Sequence, residues 1–185
     1  MAAEEALDRV EVLPYDPAWP EWFGAERLRI LDACSGLALK IEHIGSTAVP
    51  GLNSKPIIDI MIATSDMREA GDLAGAMAHL GYELITTGME GRLFLRRRSE
   101  IDGQVFQAHI VERRTWDDRK ERIMRDYLLS HPEWASAYGD LKASLAAEHR
   151  YDSLAYTRAK TEFIQTLMDR ARAECGLPPI DVWAS

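Results

Sequence analysis

One carboxylate stands in an otherwise apolar run, Ile57-Ile58-Asp59-Ile60-Met61-Ile62. Short isoleucine-rich runs bounded by Pro, Gly and Asn are strand signals. Alternation then places Ile58, Ile60 and Ile62 on one face and Ile57, Asp59 and Met61 on the other. A carboxylate buried in such a strand is costly unless a cation, a metal or several N–H donors meet it. Upstream, Gly45-Ser46 can form a tight turn whose N–H groups and hydroxyl would cradle a phosphate, and Lys55 adds a mobile positive charge. A glycine–serine turn followed by a strand carboxylate suits a nucleoside triphosphate (NTP), with phosphate on the turn and Mg2+ or another divalent metal on the acid. An Asp59 that merely caps a neighbouring turn explains the same residues without a ligand.

Three more candidates lie downstream. Arg96 would share the sheet face of Asp59 and bind phosphate; the bland reading of Arg92, Arg96, Arg97 and Arg98 is an edge strand protected by charge. His109 on a later strand is either a hydrogen-bonded structural histidine or a site residue. With Asp59 it would make a carboxylate–imidazole pair that suits a transition metal better than Mg2+, or it would accept a proton from an attacking group. Lys160 stands with Tyr156, Phe163 and Leu167 on one helical stripe. It either snorkels to solvent or neutralises phosphate, with Tyr156 as its hydrogen-bond partner.

The run His43-Ile44-Gly45-Ser46-Thr47-Ala48-Val49-Pro50-Gly51-Leu52, followed by Lys55-Pro56-Ile57-Ile58-Asp59-Ile60, resembles the signature of the GrpB family. So do Pro14-Tyr15-Asp16-Pro17-Ala18-Trp19-Pro20, Arg125-Asp126-Tyr127-Leu128 with His131-Pro132-Glu133, and Tyr156-Thr157-Arg158-Ala159-Lys160-Thr161-Glu162-Phe163-Ile164. The resemblance implies the DNA polymerase β-like nucleotidyltransferase superfamily, an NTP substrate and a metal; some family members are fused to dephospho-CoA kinase. Two positions depart from the superfamily pattern. A second strand carboxylate is usual at i+2, where this chain has Met61, and similar sequences carry His-x-His where this one has Gln107-Ala108-His109. An ordinary two-metal centre is therefore not expected. Asp59 and His109 stand as catalytic and metal-ligating candidates. Gly45, Ser46, Lys55, Arg96, Tyr156 and Lys160 stand as phosphate-binding candidates.

The elements that must position these residues are legible as periodicities. A helix is expected over residues 21–36 and a strand over 37–44. A second helix should be capped by Asp66, with Glu69 three residues on. A short strand over 82–86 precedes a hairpin of 92–98 and 104–111 across Asp102-Gly103. The remainder reads as helical: a capping box at Thr115 to Asp118, a helix ending at Ser130, another from Pro132 with Trp134, Tyr138, Leu141 and Leu145 as its packing stripe, and one long helix over 153–174. The fold class is α/β (α+β), a mixed sheet of about five strands with nucleotidyltransferase-like topology followed by a C-terminal helical part. One domain is expected, with a core over 1–112, helices over 113–175 and a tail over 176–185 in which Trp183 docks.

The 185 residues carry a net charge of −8 and are 46% apolar, a globular balance. That charge argues against polymeric nucleic acid or an anionic membrane as partner, since both attract proteins through many phosphate contacts. It leaves room for a small phosphorylated ligand gripped by local cations. The two cysteines, Cys34 and Cys175, have no metal-like spacing, the N-terminus is unlike a leader, and a cytoplasmic setting is expected. A homo-oligomer is left open. A catalytically reduced nucleotide- or anion-binding module is the alternative to an enzyme, and an accessory protein of a metabolic enzyme is a third reading.

Overall fold

The computed structural model describes residues 9–34 and 36–182, so the docking expected of Trp183 falls outside them. Helix α1 (Trp19–Ala33) leads to β1 (Lys40–Ile44), a 3-10 turn (Ser46–Ala48) and β2 (Ile57–Thr64). Helix α2 (Met67–Ala78) precedes β3 (Glu83–Leu84), β4 (Arg92–Arg98) and β5 (Val105–Glu112). Four helices follow: α3 (Lys120–Ser130), α4 (Pro132–Glu148), α5 (Ser153–Ala159) and α6 (Thr161–Glu174). The strands form one mixed sheet in the order β1-β2-β5-β4-β3, with β2 and β5 parallel and the other neighbours antiparallel.

The two faces of the sheet divide the work. Ile58, Ile60 and Ile62 pack with Ala108, Ile110 and Leu95 against Ile30 of α1 and Leu73 and Met77 of α2. Each aliphatic side chain fully buried there contributes roughly 1.5–3 kcal/mol. Asp66 caps α2, its Oδ1 accepting from the N–H groups of Arg68 and Glu69 at 2.9 Å each. The opposite face carries Asp59, Gln107, Arg96 and His109, and the C-terminal helices lie over it. Among the described residues no helix is long and apolar enough to cross a membrane.

Several expected details differ. Strand β4 is not an edge, because β3 and β5 pair with its two sides. Of its arginines, Arg97 faces the α1–α2 side, where it pairs with the buried Glu26 at 3.3 Å. The capping box at Thr115 is not formed. Thr115 ends a 3-10 turn, and its hydroxyl donates to the Glu112 carbonyl at 2.9 Å, so the helix starts only at Lys120. The long final helix is two helices, broken at Lys160. There the Thr161 hydroxyl takes the Arg158 carbonyl at 2.6 Å, a local bond that competes with the helical ladder. The break divides the expected stripe: Tyr156 packs near Val10 and Ala146, while Leu167 joins the cluster of Leu52, Tyr138 and Met168, with Phe163 against it.

Candidate functional site

The turn after β1 is built around a close approach. Gly45 has φ of 72°, and a Cβ there would lie 2.4 Å from Asp59 Oδ2. A side chain at this position would collide with the carboxylate and strain the backbone, so glycine is required on both counts. The turn is also tied from behind. His43 Nε2–H donates to Thr47 Oγ1 at 2.9 Å, and the Thr47 hydroxyl donates to the Ile57 carbonyl at 3.0 Å. Burial, helped by the Arg125 guanidinium, pushes the His43 imidazole down to about 4, which keeps it neutral with one donor and one acceptor nitrogen.

Strand register sets the floor of the site. Asp59 faces Ile44 on β1 and Gln107 on β5, and Gln107 faces Arg96 on β4. With its amide nitrogen toward Asp59, Gln107 donates to Oδ1 at 3.1 Å while its oxygen accepts from Arg96 Nη2 at 3.3 Å. The amide thus links the acid to the guanidinium.

Above this row opens a cavity of about 650 Å3 lined by Ser46, Lys55, Asp59, Arg96, Tyr156 and Lys160, among others. Gly45 acts from beneath, through its approach to Asp59. Six basic side chains line the cavity against three acidic ones, in a chain whose net charge is −8. Lys55 and Lys160 both lie on the ring of Tyr156, their ammonium groups 4.8 and 4.2 Å from its centre. The sequence reading gave Tyr156 a hydrogen bond to Lys160; the contact is instead to the ring face, a cation–π arrangement.

Electrostatics separate these groups. Burial, with Glu121 adding repulsion and Lys160 opposing it, pushes the Asp59 carboxyl up to about 7. Burial and the neighbouring Lys55 push the Lys160 amine down to about 8. Burial likewise lowers Lys55. Near neutral pH, then, the acid and one of its cations are both close to their titration points, a pattern typical of sites that move protons or bind charge.

His109 sits one row away and does not line this cavity. It faces Met61 and Phe94, is 9% exposed, and its Nδ1 accepts from Arg92 Nη1 at 3.2 Å. Arg92 Nη1 also donates to Glu121 Oε1 of α3 at 2.6 Å. Burial above all pushes the His109 imidazole down to about 4. With its Nδ1 lone pair taken by a guanidinium, the neutral imidazole carries its proton on Nε2 and has no lone pair left to share a metal with Asp59. Met61 is fully buried, and no group of three His, Cys, Asp or Glu able to hold a metal occurs among the described residues. The donor set expected for a resident divalent ion does not fit.

Lys142 of α4 also lines the cavity and escaped the sequence reading. A lysine within a helix reads as a solvated residue, yet this one is 3% exposed. Its signal was the spacing from Tyr138, four residues earlier and on the same helical face, which matches that of Tyr156 and Lys160.

The family of GrpB proteins matches residues 9–170. The chain belongs to the GrpB family. It is 36% identical to the UPF0157 protein PA4798 of Pseudomonas aeruginosa over 176 residues, covering 94% of this chain and 72% of that protein. The crystal structure of the conserved protein GrpB from Enterococcus faecalis superposes with a TM-score of 0.80 at 32% identity, covering 90% of this chain and 99% of that one. The GrpB fold is thus shared over nearly the whole chain. The Cid1 poly(U) polymerase with Mg 3′-dATP bound overlaps at a TM-score of 0.45 and 10% identity, over 81% of this chain and 50% of that one. That distance bears on neither activity nor ligand.

Proposed function

We propose that the protein binds the polyphosphate of a nucleoside triphosphate in this cavity and transfers a nucleotidyl group to a small hydroxyl- or amine-bearing acceptor. One observation carries the reading: a strand carboxylate, pressed against a glycine turn, faces a cavity ringed by Lys55, Lys160 and Arg96. Two ammonium groups share one aromatic ring there. Such crowding is unfavourable while the cavity is empty and is relieved by an anion.

The chemistry follows from positions and charges. Ser46 and the turn hold one end of the triphosphate, and the cations spread over the rest. Asp59, poised near neutrality, accepts the proton as the acceptor oxygen or nitrogen bonds to the α-phosphorus. The bond to the bridging oxygen breaks, and pyrophosphate leaves among the lysines that neutralise it. Any Mg2+ that arrives on the nucleotide belongs to the substrate. His109 has no part in these steps.

The absence of a second carboxylate beside Asp59, where Met61 and Gln107 stand, favours one other reading, nucleotide binding without turnover. Both are tested together by incubating the purified protein with each NTP, Mg2+ and a panel of small acceptors while recording melting temperature and released pyrophosphate. Nucleotide-dependent stabilisation with pyrophosphate that disappears in Asp59→Asn supports transfer. Stabilisation without pyrophosphate leaves the binding module. A melting temperature indifferent to every nucleotide removes both.

A further inference from the structure

Two helices present the same pair of residues at the same spacing. Tyr138 and Lys142 lie in α4; Tyr156 lies in α5, with Lys160 at its end. In each pair the ammonium rests on the ring four residues before it, at 4.5 Å for Lys142 and 4.2 Å for Lys160. Lys160 has Asp59 as a counter-charge. Lys142 has none of that kind. It is 3% exposed, its Nζ has no hydrogen-bond partner, and the charge it feels is Lys160. Burial, with Lys160 adding repulsion, pushes its amine down to about 7.

A buried ammonium without a partner is among the costlier features a fold can carry, and an apolar residue of similar volume would avoid that cost. Yet Lys142 lines the cavity of the Asp59 site. Lys160 is coupled through its charge to Asp59 and Lys55 and also to Lys142. Lys142 thus shares one cavity with Asp59, Lys55 and Lys160. A single phosphate brings about 1.5–2 negative charges at neutral pH. The cavity lining carries six basic side chains against three acidic ones, an excess that one phosphate does not neutralise and that matches a longer chain.

We propose that Lys142 is a direct ligand of the outermost phosphate of a polyphosphate, and that this contact makes the cavity prefer di- and triphosphates to monophosphates. The proposal rests on the nucleotide-binding reading above and adds to it the end of the site and its length selectivity. The two Tyr–Lys pairs then act as a double clamp. Each ring holds its ammonium in place, and at Lys142 no carboxylate competes with the ligand.

The test uses the full chain in EDTA, with inorganic triphosphate, ATP and AMP as probes, followed by calorimetric titration and thermal melting. In the wild type, triphosphate and ATP bind more tightly than AMP and raise the melting temperature. In Lys142→Met, affinity for triphosphate and ATP falls at least tenfold while AMP binding changes less than twofold. The ligand-free variant melts at or above the wild-type temperature. Lys142→Met that binds triphosphate within threefold of wild type overturns the proposal, as does a ligand-free variant that melts well below wild type. A wild-type protein that responds to none of the three probes fails one step earlier, at the nucleotide reading itself.

Discussion

Neighbouring rows on one sheet face are built from similar residues and come to opposite ends. In one row Asp59, Gln107 and Arg96 are linked side by side and open to the cavity. In the next rows His109 and Arg92 are closed off by Glu121 from α3. There Trp116 packs with Met61, Ala63 and Val111 into a small apolar cluster. Burial pushes the Glu121 carboxyl up, but the Arg92 guanidinium and its hydrogen bond outweigh that and hold it below its ordinary value. Asp59 keeps no such direct partner and is pushed the other way, to about 7. Charged residues on a strand become structure where a helix supplies the counter-ion, and become site where the cavity leaves that place to a ligand.

The comparison is broken most severely at the closed row. Arg92→Met leaves Glu121 without its cation, and losing one partner of a buried pair costs about 3–5 kcal/mol. Urea unfolding of that variant should show a loss of this size, partly recovered by adding Glu121→Leu; a loss below about 1 kcal/mol would show that the ion pair does not hold the row together.

At the open row the largest effect is expected from the turn. Gly45→Ala places a Cβ against Asp59 Oδ2 and strains a positive φ, at a cost of about 1–3 kcal/mol. The variant should also lose its thermal response to ATP. A fully stable Gly45→Ala that still binds would disprove the close approach.

Asp59→Asn sharpens the contrast through pH. The carboxyl pKa is about 7 in the folded chain against an ordinary 3.8, so the folded state holds the proton more tightly than the unfolded state. Its contribution to stability is therefore full below pH 4 and is lost as pH rises through about 7. At about 1.4 kcal/mol per unit, wild type should lose up to a few kcal/mol relative to Asp59→Asn between pH 4 and 7, read by urea titration at each pH. Parallel curves would refute the raised acid. Turnover, where observed, should rise as Asp59 ionises through about 7 and decline as Lys160 loses its charge near 8.

The smallest effect separates the rows by function. His109→Gln should cost about 1–2 kcal/mol and leave ATP-dependent stabilisation within one degree of wild type. Loss of that response, with the fold intact, would return His109 to the site.

Much of this was legible in the sequence where a local pattern had a local cause. Asp59 interrupts an isoleucine run, Gly45 and Ser46 break a strand, and Asp66 with Glu69 announces a helix start; each is realised. What escaped depended on which element lies over which. Nothing near Arg92 or His109 in the chain names Glu121, and their closure follows from where α3 is laid. Lys142 carried no signal of its burial, because burial is decided by the neighbouring helix rather than by the residue. The stripe through Tyr156, Lys160 and Leu167 kept its period but not its continuity, because the Thr161 hydroxyl ends one helix before the next begins.

The parallel pairing of β2 with β5 also fixes an order of assembly. Asp59 acquires its Gln107 neighbour only after α2, β3 and β4 have been laid down between them, and Lys142 and Lys160 come from the helical part later still. Pairings between distant segments are slow to form. During synthesis the isoleucine strand therefore waits with one side unpaired, an adhesive edge. A ribosome-bound chain halted before Val105 would carry the acid without its Gln107 neighbour and the strand without its parallel partner.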